Sequence, residues 1–141
     1  RDTDRSRGLG DVYKRQDYDG NSTYMSYINT GAATWNAYKS GVIRKDSAFV
    51  VEDVYVSDVN ASNGWAGMTY SSGKIELNTY YMSGYSNSKK QNVATHELGH
   101  ALGLDHSTST DVMDAAITGH TSTQALSQND KDSYDAAYNN Y

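Results

Sequence analysis

Residues 95–107 read THELGHALGLDHS, three histidines, one glutamate and one aspartate within a single short stretch. His96 and His100 are four residues apart, so on a helix they stand one turn above each other on the same face. Two imidazoles so placed are able to hold one metal ion. Glu97, beside the first of them, is able to reach a metal-held water without ligating the ion. Gly103 follows His100 by three residues and His106 follows Gly103 by three. A continuous helix would carry residue 106 about 9 Å along the axis from residue 100. A glycine that accepts positive φ ends the helix and turns the chain back toward the metal. Asp105 directly precedes His106, so the stretch offers two neighbouring candidates for a third ligand. Histidines and a glutamate on an amphipathic helix also occur as surface or hydrogen-bonded residues. The continuation through Gly103 is what favours a metal.

The surroundings support a helix here. Ser88 with Gln91 three residues on has the form of a capping box and predicts a helix start. Val93, Ala94, Leu98, Ala101 and Leu102 then share one broad arc at helical spacing. Upstream, Asn29 to Gly41 reads as a short helix with Ala33, Trp35 and Ala37 as core contacts and Gly41 as its stop. Ser47 to Val59 is strand-like, with Val50, Val54 and Val56 on one face. Residues 64–82 suggest two strands around the Ser71-Ser72-Gly73 turn, Ile75 and Leu77 alternating with Glu76 and Asn78. Residues 126–138 predict a last helix, capped by Ser127 with Asp130 completing the box and Tyr134, Ala137 and Tyr138 inward. This order of elements predicts an α+β fold, a mixed sheet packed on helices.

A length of 141 residues suits one domain. There are no cysteines, so a transition-metal site must draw on histidine and carboxylate. Net charge is −5 and no basic cluster lies near the histidines, which argues against nucleic acid or an anionic membrane as partner. No apolar run approaches the roughly 20 residues of a membrane span, and no signal-peptide core is visible. The first residue is Arg, which points to a fragment or processed form. Residues 1–16, RDTDRSRGLGDVYKRQ, hold five of the twelve basic residues and show no periodicity. The segment reads as disordered or as non-native, adapter-derived read-through, and the domain is placed at 17–141.

With the extended motif in hand, the sequence resembles the metzincin clan of zinc endopeptidases, and within it a minimal, bacterial, matrixin-like group. His96, Glu97, His100, Gly103 and His106 match the clan's motif at every defined position. "DVMDA" places Met113 where these proteins carry a methionine turn. "TWNAYKSG", "GKIELN" and "LSQNDKDSYDAAY" resemble the first helix, the substrate-side strand region and the closing helix. The resemblance implies a metzincin-like catalytic domain: a twisted mixed sheet, a first helix, an active-site helix, a methionine turn and a C-terminal helix. It implies His96, His100 and His106 as ligands of one catalytic Zn2+ and Glu97 as general base. Gly103, Met113 and Asp130 would support the site, Asp130 holding the methionine turn by backbone hydrogen bonds or simply capping its helix. Asp105 then falls one position too early to ligate.

The implied reaction is hydrolysis of peptide bonds in extended protein or peptide substrates, by a water activated between metal and Glu97. Substrate would pair with an edge strand near 65–79, and a pocket near 114–126 would set preference. The implied protein is a secreted, extracellular bacterial monomer. There are departures. His120 is the only other histidine, so a second, structural zinc site of the animal type has no ligands, and Ala115 stands where some subgroups place a tyrosine. Ca2+ sites are not assignable, although Asp46, Asp53, Asp58 and Asp111 are candidates beside the plainer reading of solvated surface carboxylates. Trp35 and Trp65 read as core, and His120 as loop surface or pocket lining. A closed structural zinc module, an amidase or exopeptidase, and a cell-wall binding protein are the rival readings.

Overall fold

A computed structural model of the chain describes residues 16–38, 43–45 and 54–138. The order of elements is β1 (Gln16–Asn21), α1 (Met25–Tyr38), β2 (Ile43–Lys45), β3 (Val54–Val59), β4 (Gly67–Thr69), β5 (Lys74–Asn78), α2 (Thr79–Met82), α3 (Asn87–Ala101) and α4 (Gln128–Tyr138), with a 3-10 turn at Ile117–Gly119 before α4. The strands form one sheet in the order β2-β1-β3-β5-β4. β1, β2, β3 and β5 run parallel, and β4 alone is antiparallel, paired to β5 with Met68 opposite Glu76. The sheet is therefore mixed, and the fold is α+β as expected. Among the described residues no helix is long and apolar enough to cross a membrane.

β1 begins at Gln16, inside the segment set aside above, and its Gln16 pairs with Ile43. The rest of that segment, the predicted stop at Gly41, and Val50, Asp46 and Asp53 lie outside the described residues. The first helix starts at Met25, four residues before the expected position. Its inward stripe is Ile28, Gly31, Ala32 and Trp35, following Tyr24, while Ala33 and Ala37 are exposed. Tyr24 and Ile28 are larger apolar side chains than Ala33 and Ala37, and burying them together with Trp35 outweighs burying the two alanines.

The core lies between this stripe, the inner face of the sheet (Val54, Val56, Ile75, Leu77) and α3 with its C-terminal cap (Val93, Leu98, and Leu102 at the cap). Trp35 joins α1 to α3 through its indole N–H, which donates to the Thr95 carbonyl at 3.0 Å.

Two local expectations are corrected by packing. The alternation in β5 places Ile75 and Leu77 inside, but Asn78 is also fully buried. There the strand ends and Asn78 caps α2, accepting from Tyr80 N at 3.1 Å. Its amide nitrogen reaches the carbonyls of Ala61 (2.8 Å) and Trp65 (2.9 Å), so one side chain folds the 61–65 loop against the sheet. Residues 79–82 consequently form a helical turn and do not extend the strand. The cap of α3 is Ser86, whose Oγ accepts from Lys89 N, two residues before the predicted Ser88. Gln91 instead spans to α1, its side-chain nitrogen donating to the Tyr27 carbonyl at 2.9 Å.

Candidate metal and catalytic centre

His96, Glu97 and His100 all lie on the last two turns of α3. The helix closes at Gly103, whose φ of 98° is open to glycine at little cost. Gly103 N–H donates to the His100 carbonyl (2.9 Å) and Leu104 N–H to the Gly99 carbonyl (3.0 Å), the paired bonds of a Schellman motif. Leu104 is buried behind the turn, and the chain reverses so that His106 comes back beside His100. Local backbone chemistry thus performs the reversal that the spacing called for.

The three imidazoles converge. His100 Nε2 and His106 Nε2 are 3.0 Å apart, and one ring nitrogen from each of His96, His100 and His106 lies within 4.8 Å of the others. His96 Nδ1 donates to the Val112 carbonyl at 2.7 Å and His100 Nδ1 to the Leu104 carbonyl at 2.8 Å. A carbonyl only accepts, so each Nδ1 carries the proton and each Nε2 keeps its lone pair. Burial holds the pKa of His96 down to about 4, and burial also lowers that of His100, with His106 adding to the effect in both. The lone pairs of His96 and His100 beside the His106 ring make a donor set able to hold a cation. Zinc–nitrogen bonds of 2.0–2.1 Å at tetrahedral angles set nitrogens roughly 3.3 Å apart. The donor set and its spacing therefore fit zinc. Among the described residues this is the one group of three such side chains close enough to hold an ion.

The loop after His106 is held by two buried carboxylates. Asp130, fully buried at the start of α4, accepts from Val112 N (2.9 Å) and Met113 N (3.3 Å), and also from Ser127 N (2.9 Å), which makes it both a loop anchor and a cap. Val112 is the residue whose carbonyl orients His96, so Asp130 reaches the site through one peptide. Met113 is fully buried beneath the histidines' helix, its sulfur against Gly99, where a methyl group would collide with it.

Asp111 is the second carboxylate, and its place corrects the surface reading. It is fully buried and accepts from Ser127 Oγ (2.6 Å), Asn129 Nδ2 (2.8 Å) and Thr108 Oγ1 (2.8 Å). Burial pushes its pKa up, but the hydrogen bonds, led by those of Ser127 and Asn129, outweigh this and hold it well below the usual carboxylate range. A depressed folded pKa stabilises the fold above the unfolded value of about 3.9, and that stability drains as pH falls toward the folded value. Asp111→Asn is expected to lose about 2 kcal/mol at neutral pH. The gap to the parent should then narrow below about pH 4, measured as urea midpoints from pH 7 to pH 3.

Glu97 is only 6% exposed. Burial raises its pKa to about 7, with the Thr69 hydroxyl pulling the other way. It faces a cleft of 570 Å³ together with the three histidines. One wall is β4 with Trp65, and the other includes Ala115, Ile117 and Thr118. Trp65 is partly exposed on this wall and is not a core residue, because the Asn78-held loop lifts it to the rim. Asp105 is exposed beside the cleft and makes no hydrogen bond among the described residues. His120 does not line it; its Nε2 contacts Asp114 Oδ2 at 2.7 Å. Thr69 and Gly67, which touch Glu97, carried no signal in the sequence, since a threonine and a glycine on a three-residue strand fit no motif.

A sequence model of the family described as Matrixin matches residues 18–139. No curated protein matches the chain.

Proposed function

We propose that this chain, which belongs to the matrixin family of metallopeptidases, is a zinc-dependent endopeptidase acting on extended protein or peptide substrates, with residues 17–141 as its catalytic domain. Matrixins bind zinc and are typically extracellular proteins, and secretion is part of this reading. The observation that carries it is the convergence of three imidazole nitrogens next to a buried carboxylate in a cleft flanked by an edge strand.

His96, His100 and His106 would hold the ion, and bound there zinc supplies Lewis acidity that polarises a carbonyl and acidifies water. Glu97 accepts the proton of the attacking water and returns it to the leaving amine, two transfers by one carboxylate. Val112 and Leu104 carbonyls keep the first two rings from rotating, so the nitrogens hold their aim while substrate enters. β4 ends the sheet and its outer edge borders the cleft, so an extended peptide adds to it as a further strand. The wall formed by Ala115, Ile117 and Thr118 receives a substrate side chain and sets preference. Met113 and Asp130 support the floor without entering the chemistry.

Cleavage of an unbiased peptide library, abolished by a chelator and restored by zinc, is the expected result. Internal cuts mark an endopeptidase. Release of terminal residues alone would reassign the chain to an exopeptidase, and no cleavage at all would return it to a binding role.

A further inference from the structure

Glu97 sits on α3, but what touches its carboxylate comes from β4, 28 residues earlier in the chain. Thr69 Oγ1 lies 2.7 Å from Glu97 Oε1 and 3.1 Å from the Glu97 carbonyl. A hydroxyl has one proton to give, and the shorter contact to the charged acceptor takes it. Gly67 lies two residues before Thr69 and therefore on the same face of the strand. A Cβ at Gly67 would come within 2.9 Å of Glu97 Cγ and 3.0 Å of Oε2. One face of this short strand thus presents a bare backbone and then a hydroxyl, and both abut Glu97. Oε2 accepts no hydrogen bond among the described residues.

Resting on the functional reading above, we propose that Thr69 is a positioning residue for the general base. Its hydroxyl occupies Oε1 and leaves Oε2 as the oxygen that exchanges the proton with water and leaving group. The last torsion of a glutamate is broad and nearly two-fold, so burial alone leaves the two oxygens free to exchange places. The Thr69 bond removes that freedom, and Gly67 keeps the adjacent space clear of any side chain. The strand that offers its outer edge to substrate also sets the angle of the base, so both are referred to one backbone.

The test compares the parent with Thr69→Val, Thr69→Ser and Glu97→Gln, on a peptide the parent cleaves and in the metal-free protein. Thr69→Val keeps the shape and loses the donor. Its kcat is expected to fall about 10- to 100-fold, the worth of a hydrogen bond to a charged group, with KM within about twofold and zinc content unchanged. Thr69→Ser keeps the donor and should stay within about threefold of the parent in kcat. In the metal-free protein the Glu97 carboxyl carbon resonance should move in Thr69→Val and stay in Thr69→Ser. If the valine variant does not fold, Thr69→Ala replaces it in both measurements. Parent-like kcat with an unmoved resonance in the hydroxyl-free variant overturns the proposal. So does a loss in Thr69→Ser as large as in Thr69→Val, which would make methyl packing the cause. Parent-like hydrolysis by Glu97→Gln would instead overturn the functional reading, and the resonance would still decide the Thr69 contact by itself.

Discussion

Glu97→Ala is expected to lower kcat/KM by about three orders of magnitude, within the range ascribed to a positioned acid–base group, while zinc still binds one ion per chain. The two outcomes separate because Glu97 and the imidazoles are held by different partners. His96 and His100 are oriented by the Val112 and Leu104 carbonyls, and neither bond involves the glutamate. The substitution also removes a carboxyl whose burial raises its pKa to about 7, so the folded state loses a costly group and thermal stability should not fall. Metal analysis, a thermal melt and peptide kinetics on one preparation give all three readings. Activity near the parent's would take Glu97 out of the reaction, and loss of zinc would make it a ligand.

His106→Ala should abolish zinc binding at the working concentration and activity with it, whereas Asp105→Ala keeps most of both. His106 is the most exposed of the three imidazoles, and its one hydrogen-bond contact among the described residues is with His100 Nε2. Its place follows from the Schellman turn before it and from the Ser107 N–H after it, which donates to the Met113 carbonyl at 2.9 Å. Removing a ligand should cost more than the 10- to 100-fold of affinity typically lost with an outer hydrogen bond. Asp105 is exposed and makes no hydrogen bond among the described residues, and its carboxylate only offsets a little of the lowering that burial imposes on the His100 pKa. Titration with zinc in the presence of a competing chelator measures both variants. The reverse pattern, with zinc lost on Asp105→Ala and kept on His106→Ala, would move the third ligand by one residue.

How legible each part was follows from the range over which its cause acts. The helix bearing His96 and His100, its arc of Val93, Ala94, Leu98, Ala101 and Leu102, and the stop at Gly103 all rest on contacts within about six residues, and all were readable. Boundaries were less so. Ser86 and Ser88 are both acceptable caps by type, and the choice of Ser86 accompanies Gln91 bonding the Tyr27 carbonyl. The sequence places the first helix late because Trp35 and its neighbouring alanines have the spacing of a stripe, whereas Ile28 and Ala32 share the turn that meets the core. Trp65 reads as core in the sequence because a tryptophan's hydrophobicity does not reveal that Asn78 holds its loop at the cleft. Asp111 reads as surface in the sequence because aspartates usually are; its donors include residues at 108 and at 127–129, and only the packed loop assembles them.

The residues alone therefore determined a mixed α+β domain and a ligand spacing that a helix and a glycine turn bring together. Periodicity and capping act between near neighbours, and so they are written in the order of the chain. The tertiary structure alone decided what surrounds those groups: the Val112 carbonyl on His96, the Asp130 anchor behind it, and the Thr69 hydroxyl on Glu97. Those bonds join residues 16 to 28 apart, or in the anchor's case two loops and a helix end. They form because the sheet and α3 bury a common core, and no spacing in the sequence encodes which polar atoms that burial brings face to face.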